Sequence, residues 1–201
     1  LPNPKIILAS GSPRRKEILR LAGIPCQIIV SDADETAFGD PGDQVQKLAL
    51  RKARAVFDVV QKEANPPIII AADTLVFVND GIRGKVLGKP RDELEAFDML
   101  KTLQGRLHMV YTGVALLQGE YEHVFVDAAR VYFRALSDEE ILAYIATGEP
   151  FDKAGGYGVQ ERGAVLVDRI DGDFYTVMGL PISKVCRALT IMGYDIWMND
   201  V

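Results

Sequence analysis

The chain has 201 residues, 48% of them hydrophobic and 25% charged, with a formal net charge of −5. At roughly 100–200 residues per domain this is one domain or two intimate lobes, able to bury a core without disulfides or a structural metal. The composition excludes disorder, collagen and coiled coil, and the acidic balance argues against a general nucleic-acid binder. Cys26 and Cys186 stand far apart, and neither His108 nor His123 has a ligand-spaced neighbour, so neither a disulfide framework nor a zinc site is expected.

In chain order, residues 6–9 read as a short apolar strand. Ser10-Gly11-Ser12 turns the chain, Ser12 is a natural N-cap, and Pro13 suits the first helical position. Ile18, Leu19 and Ala22 give that helix an apolar face, and Gly23 stops it. Residues 26–30 read as a second strand. Val45, Leu48, Ala49, Ala53, Val56, Phe57 and Val60 keep helical spacing for five turns before Asn65-Pro66-Pro67. Residues 68–78 form a buried strand, Asn79-Asp80-Gly81 a turn, and residues 85–87 a hairpin partner. Leu94, Phe97, Leu100 and Leu103 mark the next helix, closed by Gly105. Residues 107–118 and 123–135 are strand-like around Gln118-Gly119-Glu120. Ser137 and Glu140 form a capping box for a helix carrying Ile141, Leu142 and Ile145. A glycine-rich loop over 152–158, a strand over 164–170 and a helix over 182–192 complete the chain. The irregular alternation with at least one antiparallel hairpin predicts an α/β fold with a mixed β-sheet flanked by helices. The longest apolar run, 68–78, is interrupted by Asp73 and falls short of the roughly 20 residues of a membrane helix. These features together suggest a soluble protein of a reducing cytoplasm.

Three places break good folding practice, which is how functional sites show themselves. Arg14, Arg15 and Lys16 crowd the first turn of a helix, where the macrodipole disfavours cations; a bound phosphate would reverse that sign. The alternative is a solvated basic turn. Lys52 lies on the apolar stripe of its helix, either as a snorkelling stem or as a cation aimed at an anion. On the stripe alone, Lys52→Met should raise thermal stability and weaken activity. Asp73 interrupts a strand built for burial and has no helix to cap, which favours a carboxylate working as general base or metal ligand. Gly84-Lys85 and Gly88-Lys89 lack the upstream glycine and following Ser or Thr of a phosphate-binding P-loop. The glycines beside Asp152-Lys153 would let backbone approach a ligand closely.

With these residues in view, the chain resembles the Maf family of nucleoside triphosphate pyrophosphatases. The resemblance rests on Ser10-Gly11-Ser12-Pro13-Arg14-Arg15, Ala72-Asp73-Thr74, Gly88-Lys89-Pro90, Tyr111-Thr112-Gly113, Glu149-Pro150-Phe151-Asp152-Lys153-Ala154-Gly155, Gln160 and Gly179-Leu180-Pro181, in family order. It implies that residues 1–201 form a single Maf-like domain of two lobes with a central cleft and no flexible linker, similar to inosine triphosphate pyrophosphatases. It implies hydrolysis of a nucleoside triphosphate to the monophosphate and pyrophosphate with a divalent cation such as Mg²⁺ or Mn²⁺, a role in nucleotide-pool house-cleaning, and a homodimer. By the same resemblance Asp73 is the general base, Ser12, Arg14, Arg15, Lys52, Lys89 and Lys153 hold phosphates, and Glu35 joins Asp73 as a metal carboxylate. Arg14, Thr74 and Gln160 match the subclass acting on dTTP and UTP; the subclass preferring 7-methyl-GTP carries Trp, Gln and Glu at these places. The stretch 79–88 is slightly long for the family, and Thr176-Val177-Met178 replaces a commoner Asn-Val-Val. The rival class is a regulatory interaction protein of septum formation, and the rival within enzymes is a purine-directed pyrophosphatase.

Overall fold

The computed structural model describes residues 3–60, 66–79 and 84–198, so the expected helix stop at Asn65 and the turn residues Asp80 and Gly81 lie outside the described residues. The elements are β1 (Ile6–Leu8), α1 (Pro13–Leu21), β2 (Gln27–Ile28), α2 (Pro41–Val60), β3 (Ile68–Val78), β4 (Lys85–Leu87), α3 (Glu93–Leu103), β5 (Leu107–Gln118), β6 (Tyr121–Phe133), α4 (Asp138–Ile145), β7 (Val167–Asp171), α5 (Phe174–Met178) and α6 (Ile182–Ile191). The strands follow the order β2-β1-β3-β5-β6-β7, with β4 also paired to β3. β1 runs parallel to β2 and β3, whereas β3–β4 and β6–β7 are antiparallel, so the sheet is mixed as the sequence predicts.

The chain divides into two compact units. The first comprises Leu1–Asp73, Thr112–Asp127 and Gly179–Val201, and the second Thr74–Tyr111 and Ala128–Met178. In the first unit the stripe of α2 packs Ala49, Ala53 and Val56 against Ile7 and Ala9, Ile69 and Ala71 of β3, and Ala115 and Leu117 of β5. Gly113 of β5 lets this happen. A Cβ there would lie 2.4 Å from the backbone carbon and oxygen of Val45, so a side chain is excluded where α2 crosses the strand.

In the second unit β3, β4 and the inward faces of β5 and β6 enclose Val76, Leu87, Val110, Val131 and Phe133 with residues of α3 and α4. The inward face of α3 is Ala96, Met99, Leu100 and Leu103, while Leu94 is exposed. Likewise α4 buries Ile141, Tyr144 and Ile145 and exposes Leu142, and its capping box forms as predicted. The expected glycine-rich loop and the start of the expected last strand are three 3₁₀ turns, Glu149–Asp152, Ala154–Gly156 and Glu161–Leu166. Among the described residues no helix is long and apolar enough to cross a membrane.

Candidate active site

In the first unit, Ser12 is the N-cap of α1 and Pro13 its first residue, but the Ser12 hydroxyl makes no capping bond and the first turn holds no acidic residue. The first turn of α1 therefore offers uncapped backbone donors beside Arg14 and Arg15, both half-buried. Arg15 is fixed rather than loose: Nε donates to the Gly179 carbonyl at 2.8 Å and Nη1 donates to Ser10 Oγ at 3.1 Å. Ser10 Oγ also accepts the Ser12 amide at 3.2 Å, so one hydroxyl sets both the turn and the arginine. Burial lowers the Arg15 pKa below the ordinary guanidinium value and the Arg14 charge lowers it further, while Asp73 and Glu35 oppose the shift. Two like charges crowded in a partly dry place are stabilised by an anion placed between them.

Lys52 of α2 and Asp73 of β3 meet, although 21 residues separate them in the chain. Lys52 Nζ donates to Asp73 Oδ1 at 2.7 Å and lies 2.7 Å from Glu35 Oε1. The Lys52 and Asp73 side chains are 12% and 17% exposed, whereas that of Glu35 is 70% exposed. The apolar stripe thus carries its cation to two carboxylates. Among the described residues no group of three or more His, Cys, Asp or Glu side chains gathers as a metal cage. Glu35 and Asp73 both reach the Lys52 ammonium, and two hard carboxylates suit Mg²⁺ or Mn²⁺ in donor chemistry, since these ions commonly take one or two protein carboxylates and complete their shell with water and substrate phosphates.

In the second unit, Lys89 is exposed in the segment after β4. The Ala154–Gly156 turn that follows Lys153 is tied to that segment, since the Gly155 N–H donates to the Gly88 carbonyl at 2.9 Å. Lys153 is only 7% exposed, and its ammonium donates to the Glu149 carbonyl at 2.8 Å and to Asp152 Oδ1 at 2.6 Å. The glycines accommodate the protein's own side chains: a Cβ on Gly155 would meet Val76 at 2.9 Å, and one on Gly158 would meet Lys153 Cε at 2.6 Å. That is a different use from the close approach of a ligand expected of them. Gln160 follows, with its Oε1 buried and without a hydrogen-bond partner among the described residues. Thr74 is half-buried and continues β3 directly after Asp73.

The structure therefore brings together Arg15, Glu35, Lys52 and Asp73 in the first unit and ties Lys153 to the Lys89 segment in the second. Sequence reasoning missed the residues that hold these in place: Ser10, Gly179, Tyr144 and the Glu149 side chain. Ser10, Gly179 and Glu149 stood inside the family motifs, so the signal was present without a role attached to it. Tyr144 and His108 carried no such signal. His108 Nε2 pairs with Tyr157 OH at 2.7 Å in an edge-to-face cluster with Phe133, and burial pushes its pKa down to about 4.

Arg15 and Lys52 thus gather beside the strand carboxylate Asp73 and the loop carboxylate Glu35, a charge-dense site on an α/β protein. The model of the family described as Maf-like protein matches residues 5–192, and the chain belongs to that family. It is 48% identical over 194 residues to a dTTP/UTP pyrophosphatase of Bacillus cereus, covering 96% of this chain and 97% of that protein. It is 48% identical over 187 residues to the dTTP/UTP pyrophosphatase of Bacillus cytotoxicus, covering 92% and 94%. A solved structure described as nucleoside-triphosphatase / dITP/XTP pyrophosphatase from Mycobacterium abscessus aligns over 94% of this chain and 98% of that one, at 15% identity and a TM-score of 0.45.

Proposed function

We propose that this protein hydrolyses dTTP and UTP to the monophosphate and pyrophosphate, with a divalent cation, and that it thereby removes unwanted pyrimidine nucleotides from the pool. The observation that carries the reading is the meeting of Lys52 with Asp73 and Glu35 at 2.7 Å each, close enough to Arg15 for both carboxylates to act on its guanidinium. The names of the relatives support the substrate class.

The chain's own residues divide the work. The amides at the start of α1, with Ser12, Arg14 and Arg15, hold phosphate oxygens at a helix N-terminus. Lys52 engages Asp73 Oδ1 and so orients the carboxylate, leaving Oδ2 to accept a proton from water. The water oxygen bonds to the α-phosphorus as the α–β bridging P–O bond breaks, and the electron pair leaves on pyrophosphate. Charge developing on the leaving group is offset by fixed cations, which is the main demand of phosphoryl chemistry. Glu35 and Asp73 would hold the divalent cation, which when bound lowers the pKa of a coordinated water and neutralises phosphate charge. In the second unit Lys89 and Lys153 are the further phosphate ligands, and Thr74 and Gln160, with Arg14, set the base preference.

The test is a panel of nucleotides with Mg²⁺ or Mn²⁺ and pyrophosphate release as readout. dTTP and UTP should exceed CTP, ATP, GTP and 7-methyl-GTP. In Gln160→Glu, kcat/KM for UTP should fall by about 5- to 150-fold, the cost of leaving a buried base-edge group unpaired, and more than for 7-methyl-GTP. Release of single phosphates, or preference for 7-methyl-GTP, would sink the assignment.

A further inference from the structure

Between Glu149 and Gly163 the chain makes a compact loop that carries Lys153 and Gln160. Its far side contains Glu161 at φ +66°, a non-glycine residue in the left-handed region directly after Gln160. Such a conformation persists only where its surroundings over-determine it. Here the Glu149 carboxylate does so. Oε1 accepts the Arg162 amide at 3.2 Å and Oε2 accepts the Gly163 amide at 3.1 Å, the two N–H groups that follow the strained residue. The 3₁₀ turn that begins at Glu161 has no side-chain cap of its own from Gln160, so Glu149 supplies the missing acceptors from across the loop.

Glu149 is itself anchored. Its amide donates to Thr147 Oγ1 at 3.2 Å, and that hydroxyl donates to the Tyr144 carbonyl at 2.6 Å in the last turn of α4. The Tyr144 hydroxyl accepts the Gly158 amide at 3.2 Å, which pins the middle of the loop. Gly163 completes the closure, because a Cβ there would lie 2.1 Å from the Gly158 carbonyl oxygen. The Glu149 carbonyl accepts the Lys153 ammonium. One residue thus holds the loop at both ends.

We propose that Glu149 is a positioning residue for base selection: its carboxylate clasps the strained turn after Gln160 and so fixes the orientation of the Gln160 amide. The consequence is chemical. An amide carries one acceptor and one donor side. Free to rotate, it pairs equally with the N3–H and O4 edge of uracil or the N3 and N4–H₂ edge of cytosine. Held in one orientation, it accepts only the first. Oε1, which has no hydrogen-bond partner among the described residues, is then the acceptor for N3–H.

This rests on the proposed pyrimidine triphosphate activity, and the experiment separates the two. UTP and CTP share ribose, triphosphate and ring size, so the ratio of their kcat/KM values isolates edge reading. Glu149→Gln places an NH₂ against one of the two amides. It should narrow the UTP:CTP ratio at least about 5-fold, the factor expected when one edge contact stops discriminating, and speed hydrogen exchange at Arg162 and Gly163 while the amides of β5 stay protected. In a Gln160→Ala background the same substitution should leave the ratio unchanged, because the reader is gone. Glu149→Asp, which keeps both acceptors, should retain more of the ratio than Glu149→Gln. A fall equal for both nucleotides, or a ratio shift of the same size without Gln160, overturns the clasp. So does failure of both Glu149 variants to fold, which would make the residue a folding requirement. Wild-type protein that releases no pyrophosphate from UTP overturns the activity reading, and the specificity role falls with it whatever the exchange data show.

Discussion

At the scale of single residues, Asp73 and Lys52 are where folding and chemistry pull apart. Asp73→Asn keeps the shape of the side chain and should keep the fold, but an amide cannot take a proton from water. Loss of a general base typically costs about 10²–10⁴ in rate. A well-folded Asp73→Asn with wild-type pyrophosphate release would remove Asp73 from the mechanism. Lys52 is subtler. On its apolar stripe alone, methionine looks like an improvement. The structure reverses that expectation, because Lys52→Met strands a carboxylate that is itself mostly buried. Removing one partner of a buried pair is expensive, and with partial exposure here the cost should be about 1–3 kcal/mol. Asp73→Asn added to Lys52→Met should recover part of that loss. Denaturant midpoints of the two single variants and the double close the cycle; additive costs would mean that the pair contributes nothing.

At the scale of elements, much of the frame was legible. The strands at 68–78 and 107–118 agree with β3 and β5, because long apolar runs bounded by turn residues have few other readings, and 85–87 agrees with β4 as the hairpin partner that a turn signal calls for. The capping box of α4 was equally clear, since both its partners lie within one turn. What failed did so for physical reasons. Leu94 and Leu142 sit on helical spacing yet face solvent, because the inward positions of α3 go to Ala96, Met99, Leu100 and Leu103 and those of α4 to Ile141, Tyr144 and Ile145. The 3₁₀ turns from Glu149 to Leu166 obey no period, and their closure depends on a carboxylate reaching across more than ten residues. The candidate site was legible as anomalies, a basic helix start and an acid in a strand, but their pairing depends on packing that spacing does not encode. Gly113 shows the same limit. It stands inside a quoted motif, yet its purpose is invisible until α2 is laid across it. Gly113→Ala would push a methyl into helix backbone, which cannot step aside as a flexible side chain can. Overpacking of this kind costs about 1–3 kcal/mol, sometimes more. A urea midpoint unchanged from wild type would mean that α2 shifts freely over β5.

At the scale of the whole molecule, β3, β5 and β6 contribute residues to both units, so the stability of each unit depends on strands that also serve the other. A buried titratable group in one of those strands therefore bears on the global unfolding equilibrium. His108 of β5 is such a group. It is almost fully buried, Nε2 meets Tyr157 OH, and Nδ1 has no partner among the described residues. Burial lowers its pKa from an ordinary 6.5 to about 4. The folded state consequently binds fewer protons than the unfolded chain between those values. This contribution to stability is fully present above about pH 6.5, declines as pH falls, and is gone below about pH 4, a total of about 3 kcal/mol. Carboxylates also titrate in this range, so the comparison must cancel them. His108→Gln keeps a group that can bond to Tyr157 OH and does not titrate. Between pH 7 and pH 4.5 the wild type should lose about 2–3 kcal/mol more than His108→Gln, read from denaturant unfolding at each pH. Equal losses in the two proteins would show that the imidazole takes up its proton as readily in the folded state as in the unfolded chain.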